Sequence, residues 1–458
     1  MKAHAVYLLS ILLFLASCSE DDEIPQVVQS TIDDDLIAVM QTASNGTGLE
    51  FFQLPSSEDF ANIPADPNNP LSAEKVALGK LLYHETALGM NPRMKKDYGS
   101  EGTYSCASCH HVAAGFQSGL KQGISEGGVG FGLVGEGRTL NPKYADWVDS
   151  LDVQPIRTPT AMNTAFQDVM LWNGQFGATG TNAGTEASWT PGTPKAVNEL
   201  GFQGLETQAI AGFSVHRQFI DASFLDTYPE YKEMFDNVYG TYETDEQTLK
   251  ELTGLAIAAY ERTLFSNEAP FQKYLKGDQS AMTEEQKKGA ILFFGKANCV
   301  SCHTGPALNS MEFHAIGMHE LKGENTFNTE GEKGERLGRG GFTGDPNDNY
   351  KFKVPQLYNL TDVGFLGHGG NFNTVQEVIE YKNEAVAQNS EVPNEQLASA
   401  FEPLNLSAEE IQQLTTFVEE ALYDPNLVRY VPESIPSGNF FPVNDPDSQD
   451  DTGIMGGN

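Results

Sequence analysis

Cys106-Ala107-Ser108-Cys109-His110 and Cys299-Val300-Ser301-Cys302-His303 decide how this chain is built. Each is a Cys-x-x-Cys-His pentad, the pattern at which c-type haem is attached. Two thiols three residues apart add to the two vinyl groups of one porphyrin, and the histidine that follows reaches the iron from one side. Cys106, Cys109, Cys299 and Cys302 are therefore expected to carry two covalent haems, with His110 and His303 as iron ligands. Competing readings fit less well. A thioredoxin-like redox pair does not require the histidine. A zinc site requires the two pentads to meet, and then offers two His and four Cys for four positions. A disulfide inside a pentad stays open for an exported protein.

The fifth cysteine lies far upstream. Met1-Lys2 precedes an apolar run over residues 6–15, and Leu15-Ala16-Ser17-Cys18 follows. The run is too short to span a bilayer as a mature helix. The pattern reads as a lipoprotein signal peptide over residues 1–17, with Cys18 as the lipid-bearing first residue and residues 18–50 as a tether. An ordinary cleaved secretory leader is the alternative. Both take the chain out of the cytoplasm. Ser19-Glu20-Asp21-Asp22-Glu23 after the cysteine resembles the acidic tethers of surface-exported lipoproteins, which implies an outer-membrane anchor on the periplasmic or the surface side; a merely solvated tether is the alternative.

Asp and Glu number 63 against 28 Lys and Arg, a formal net charge of −35. Phosphate backbones would be repelled, which excludes nucleic acid as a partner. Such acidity favours solubility and can steer a basic protein partner.

The length allows two domains, and a weak repeat marks them. Ser72 opens an amphipathic stretch before the first pentad and Thr283 opens one before the second. Both are N-cap residues, and Thr283 with Gln286, like Ser407 with Glu410, fits a capping box. Residues 249–264 predict a further helix. Period-two alternation is scarce, so a β-rich fold is disfavoured. Gly-rich stretches at 119–137, 174–204 and 331–344 exceed what a helical bundle needs. The expected fold is mainly α: two cytochrome c-like haem domains with long connecting loops, residues 51–275 and 276–458. The tail after Val431 is polar and rich in Pro and Gly, and is expected to be poorly ordered.

Longer motifs carry a resemblance. Arg157-Thr-Pro-Thr-Ala-Met-Asn163 with Leu171-Trp172-Asn173-Gly174, Leu205-Glu206-Thr207-Gln208-Ala209, Phe313-His314-Ala-Ile-Gly317, and Phe352-Lys353-Val354-Pro355 with Gly367-His368-Gly369-Gly370 stand in that order. Together with the pentads, roughly residues 71–425 resemble the bacterial di-haem cytochrome c peroxidase family, which includes MauG-type enzymes. The resemblance implies a division of labour. The haem at His110 would react with hydrogen peroxide, and the haem at His303 would take electrons from a small donor protein such as a cytochrome c or a cupredoxin. Trp172 matches the tryptophan between the two haems; an ordinary core tryptophan is the plainer alternative.

Four departures stand out against the family pattern. Residues 112–156 hold no histidine, whereas many members place one there to cap the first iron. No carboxylate follows the Leu205–Ala209 motif where the family has a catalytic glutamate; Phe213-Ser214-Val215-His216-Arg217-Gln218 stands there instead. His216 is then the expected acid–base residue, with a sixth iron ligand or a surface residue as alternatives, and Arg217 would stabilise charge on a departing oxygen. The family's Met or Tyr ligand of the second iron is replaced in Thr374-Val-Gln-Glu-Val-Ile-Glu-Tyr381-Lys382. Adjacent helical residues point about 100° apart, so only one of Tyr381 and Lys382 can serve; Tyr381 is the expected ligand. Calcium is a further ion implied by the resemblance, yet Arg157 stands at its amide position, with Asn163 nearby, and Thr361 lacks the proline that usually follows.

The leading functional expectation is an exported di-haem peroxidase. A MauG-like oxidase acting on a protein or small organic substrate is the second reading, and a non-enzymatic electron-transfer cytochrome the third.

Overall fold

Polar caps start the helices where the sequence places them. Ser72 Oγ accepts from the Lys75 amide at 3.2 Å, and Thr283–Gln286 and Ser407–Glu410 close reciprocal capping boxes. The computed structural model describes residues 30–90, 100–330 and 334–449. In chain order its α-helices are α1 Ile32–Ala43, α2 Ala73–His84, α3 Gly204–Val215, α4 Ala222–Thr227, α5 Pro229–Tyr239 and α6 Glu246–Glu261. They continue with α7 Pro270–Leu275, α8 Glu284–Phe294, α9 Arg339–Thr343, α10 Val375–Glu384 and α11 Ala408–Thr416. Two short antiparallel ladders join β1 Gly128–Val129 to β2 Thr139–Leu140, and β3 Phe313–His314 to β4 Phe352–Lys353. The fold is mainly helical with long connecting loops. No helix among the described residues is long and apolar enough to cross a membrane.

Each pentad is preceded by a helix that crosses another at a glycine. In the first half α2 packs on α6, and a Cβ at Gly79 would lie 1.8 Å from the Ala256 carbonyl oxygen. In the second half α8 packs on α11, and a Cβ at Gly289 would lie 2.0 Å from the Gln413 carbonyl oxygen. The obstruction is backbone, which cannot rotate away, so the helices must part to admit a methyl group. Gly79→Ala and Gly289→Ala are each expected to cost about 1–3 kcal/mol, read as a lowered urea midpoint; an unchanged midpoint would contradict the backbone contact. A buried bidentate pair then fixes α3 on α6: Arg262 Nε and Nη2 reach the Glu206 carboxylate at 2.8 and 2.7 Å.

Two described segments, one near each end of the chain, depart from expectation. Residues 32–43, assigned to a tether, form α1, which closes on α8 of the second half. Leu36 and Met40 are fully buried, and Lys287 Nζ meets Asp33 Oδ1 at 2.7 Å. The apolar stripe of Leu36, Val39 and Met40 behind the Thr31 cap explains the helix. The tail, expected to be poorly ordered, buries Phe441 and Val443. It underpins the first pentad, where Ser105 and Ser108 hydroxyls donate to the Pro442 carbonyl at 2.9 and 2.7 Å. A boundary near residue 276 therefore does not separate the chain's contacts, because each end packs on the opposite half. The leader, Cys18 and the acidic stretch after it lie outside the described residues.

The long loops are tied down by buried amides. Between Gly174 and Gly204, Asn182 Nδ2 donates to the Gly174 and Gly177 carbonyls, and Asn198 Oδ1 accepts from the Gly177 amide. Both asparagines are completely buried.

Candidate active site

The two pentads are built alike. Each begins in a single 3-10 turn, Cys106–Ser108 and Cys299–Ser301. The His110 Nδ1 lies 3.3 Å from the Phe116 carbonyl, and the His303 Nδ1 lies 3.0 and 3.2 Å from the Pro355 and Leu308 carbonyls. With Nδ1–H donating to backbone, Nε2 is left as the free lone pair. Burial holds both imidazoles down to about 4, so they are neutral at pH 7, as a metal requires. Burial also pushes the thiols of Cys106, Cys109 and Cys299 up to about 12. The donor set fits haem c at each pentad. Among the described residues, the one grouping with metal-ligand spacing is Cys302, Glu312 and His314; the two pentads do not meet, so they make no joint zinc site.

Beside the second pentad lies a cavity of about 310 Å³ lined by Cys299, Cys302, His303 and a mostly apolar wall. Trp172 also lines it; the indole Nε1 donates to the Arg157 carbonyl at 2.8 Å, the Arg157 guanidinium sits 5.3 Å from the ring, and the His368 ring meets its edge at 6.3 Å. Trp172 is thus held beside the second site by groups from both halves of the chain.

Tyr381 does not reach this cavity. Its hydroxyl donates to the Ile316 carbonyl and its ring packs between Phe372 and Phe401, at 5.1 and 5.3 Å. Lys382, one residue on, lines the cavity instead. Burial lowers the Lys382 ammonium from its ordinary range, partly offset by Cys302 and Cys299 nearby.

At the first pentad, α3 ends at His216, and the next residue, Arg217, turns into the left-handed region at φ 54°. The Tyr104 hydroxyl pins this turn through the Arg217 carbonyl at 2.9 Å. His216 Nδ1 lies 3.1 and 3.2 Å from the two oxygens of Asp152. Asp152 is buried and also accepts from the Ser125 hydroxyl. Burial disfavours the His216 imidazolium, but the Asp152 charge and hydrogen bond outweigh it and raise the pKa. A helix C-terminus adds to this preference. The His216 side chain is 43% exposed, and its charge is felt at His110. Gln208, Gly212 and His216 share one face of α3. A Cβ at Gly212 would meet no atom within 4 Å, so the face is open at Gly212, one turn before His216.

Arg217 plays another part than expected. Its Nη1 is paired with the buried Glu126 carboxylate and donates to the Ser150 carbonyl at 2.7 Å. A guanidinium neutralised in this way has little charge left for a departing oxygen. Instead it ties the turn after His216 to the segment that carries Asp152. Sequence reading missed Asp152, whose role is visible only once residues 64 apart in sequence are brought together.

The residues named for calcium do not fit that ion. Arg157 brings a buried guanidinium, donating through Nε to the Gly367 carbonyl at 2.8 Å and through Nη1 to Gln117 Oε1 at 2.5 Å. Asn163 Nδ2 lies 3.2 Å from Gln356 Oε1, and Asn163 Oδ1 accepts from the Ser266 amide at 3.3 Å. A fixed cation and an engaged amide leave no anionic oxygen cage. Three further histidines are packed in place: His84 on the Lys80 carbonyl at 2.8 Å, His111 against Phe131, and His368 stacked on Phe352 at 3.7 Å.

Two pentads with prepared histidines on a mainly helical frame define a di-haem c-type redox protein. The chain belongs to the di-haem cytochrome c peroxidase / MauG family. The family model described as di-haem cytochrome c peroxidase matches residues 73–280. The chain is 28% identical to the methylamine utilization protein MauG of Methylorubrum extorquens, over 80% of this chain and 82% of that one. It is 30% identical to the cytochrome c peroxidase Ccp of Escherichia coli, over 74% of this chain and 58% of that one. Among solved structures, a MauG-like protein associated with microbial copper homeostasis superposes with a TM-score of 0.53 at 22% identity, covering 82% of this chain and 96% of the other.

Proposed function

We propose that this chain is an exported di-haem peroxidase that reduces hydrogen peroxide to water with electrons from a small donor protein. Cys18 is the residue that would carry a lipid anchor. The observation that supports the reading best is the His216–Asp152 pair on the face of α3 that is open at Gly212, beside the first pentad. The haem at His110 would supply the iron to which peroxide binds and from which it is reduced. His216 does the proton work. With Nδ1 held by Asp152, its Nε2 takes a proton from the near peroxide oxygen and returns it to the leaving one. Asp152 keeps the ring in that tautomer and stabilises the imidazolium between the two transfers. The overall balance is two electrons and two protons per peroxide, giving two waters. One-electron donors deliver singly at the second pentad, and Trp172 offers an aromatic stepping point toward the first.

Asp152→Asn tests the pair. Its expected cost is on the order of 10–100-fold in kcat/KM, with a shift in pH dependence of defined sign. Asp152 raises the His216 pKa, so its removal lets the neutral base persist to lower pH. The acid limb of the profile should move down; an unmoved limb would contradict the pairing.

A MauG-like oxidation of a protein or small organic substrate is the second reading. The lack of histidine in residues 112–156 favours it, as does the likeness to MauG. Steady-state assays with peroxide separate the two. Turnover of a reduced cytochrome c or cupredoxin supports the peroxidase, and turnover of organic substrates alone supports the oxidase. No reaction with peroxide leaves the electron-transfer cytochrome.

A further inference from the structure

Helix α10 lays Val375, Val378, Ile379 and Lys382 along the second cavity. Spacings of three, four and seven make these one stripe of the helix. The other basic side chains lining the cavity are committed. His314 is held by Glu312 at 3.0 Å, His368 pairs with Glu320 at 3.3 Å, Lys353 donates to the Val169 carbonyl at 2.8 Å, and Arg157 donates to the Gly367 carbonyl. Lys382 differs. Among the described residues its ammonium forms no ion pair and no hydrogen bond; it lies 5.0 Å over the face of the Phe401 ring, with the Cys299 and Cys302 sulfurs nearby. A half-buried cation on a mostly apolar wall without a partner is costly. It is all the more unusual where acids outnumber bases 63 to 28.

We propose that Lys382 is the sixth ligand of the iron whose other protein ligand is His303. The assignment rests on the reading of a haem at the second pentad. Ligation uses the Nζ lone pair: the ammonium releases one proton to water, a nitrogen–iron bond forms, and no electron is transferred. A haem propionate is the competing partner, since it would satisfy the same ammonium as a salt bridge.

Three variants of the holoprotein separate these outcomes, read by low-temperature EPR and near-infrared magnetic circular dichroism of the ferric state. Lys382→Ala should convert the low-spin signal of the second haem to high-spin. Lys382→Arg keeps the charge but cannot ligate, and should do the same. Lys382→Met should restore a low-spin centre with a thioether-to-iron band. An unchanged low-spin signal in Lys382→Ala or Lys382→Arg overturns the assignment. It then points to a propionate partner, or to another ligand such as Tyr350, which also lines the cavity. Intact mass keeps the two layers apart. A wild-type chain lacking haem at the second pentad defeats the underlying reading, whereas two haems with an unmoved spectrum defeat Lys382 alone.

Discussion

Replacing His216 with alanine is expected to lower kcat/KM for hydrogen peroxide by about 10²–10⁴-fold, the usual worth of a positioned acid–base group. Haem content and the spectrum of the second centre should not change. The size follows from geometry. His216 is oriented by a buried carboxylate at 3.1 Å and stands one turn after Gly212, where the face of α3 is open. The sign also separates the alternatives. Were His216 a sixth iron ligand, its removal would open the first iron, change its resting spectrum and raise the rate of peroxide binding. A surface histidine would leave both unchanged. Stopped-flow mixing with peroxide distinguishes all three.

The second large effect concerns stability. The double variant Cys299→Ala, Cys302→Ala should lose the second haem, leaving the cavity of about 310 Å³ without its filling. Its mostly apolar wall would lose the packing it is built around, and emptying even one large core side chain's worth of such packing costs about 2–5 kcal/mol. Typical domains have only about 5–15 kcal/mol in total, so the variant should unfold far below the parent temperature or fail to accumulate. Electron delivery from the donor protein should stop as well. Intact mass and a thermal melt check both points; an unchanged mass with an unchanged melt would contradict a haem-filled core.

Sequence carried the local chemistry of this protein. The Ser72 cap and the capping boxes at Thr283 and Ser407 are read within a few residues, and each forms as expected. The helix read at 249–264 begins three residues earlier, at Glu246 behind the Asp245 cap, and ends at Glu261. What escaped is what the fold assembles from distant segments. Asp152 has no motif of its own and gains meaning only when its loop closes on the end of α3. Arg217 stands next to His216 in sequence, yet Glu126 claims its charge. Residues 32–43 and the tail read as polar ends because their few apolar residues find partners only in the opposite half of the chain. At Tyr381 and Lys382 the sequence itself carries the answer. Val375, Val378 and Ile379 set a stripe whose next member is 382, which leaves Tyr381 turned toward Phe372 and Phe401.

The central claim is that the iron at His110 has an open face beside a histidine held by Asp152. Low-temperature EPR of the resting ferric holoprotein, repeated after rapid mixing with one equivalent of hydrogen peroxide, tests it most directly. The account predicts one high-spin and one low-spin centre, with the high-spin signal consumed on mixing. Two low-spin centres that ignore peroxide would contradict it.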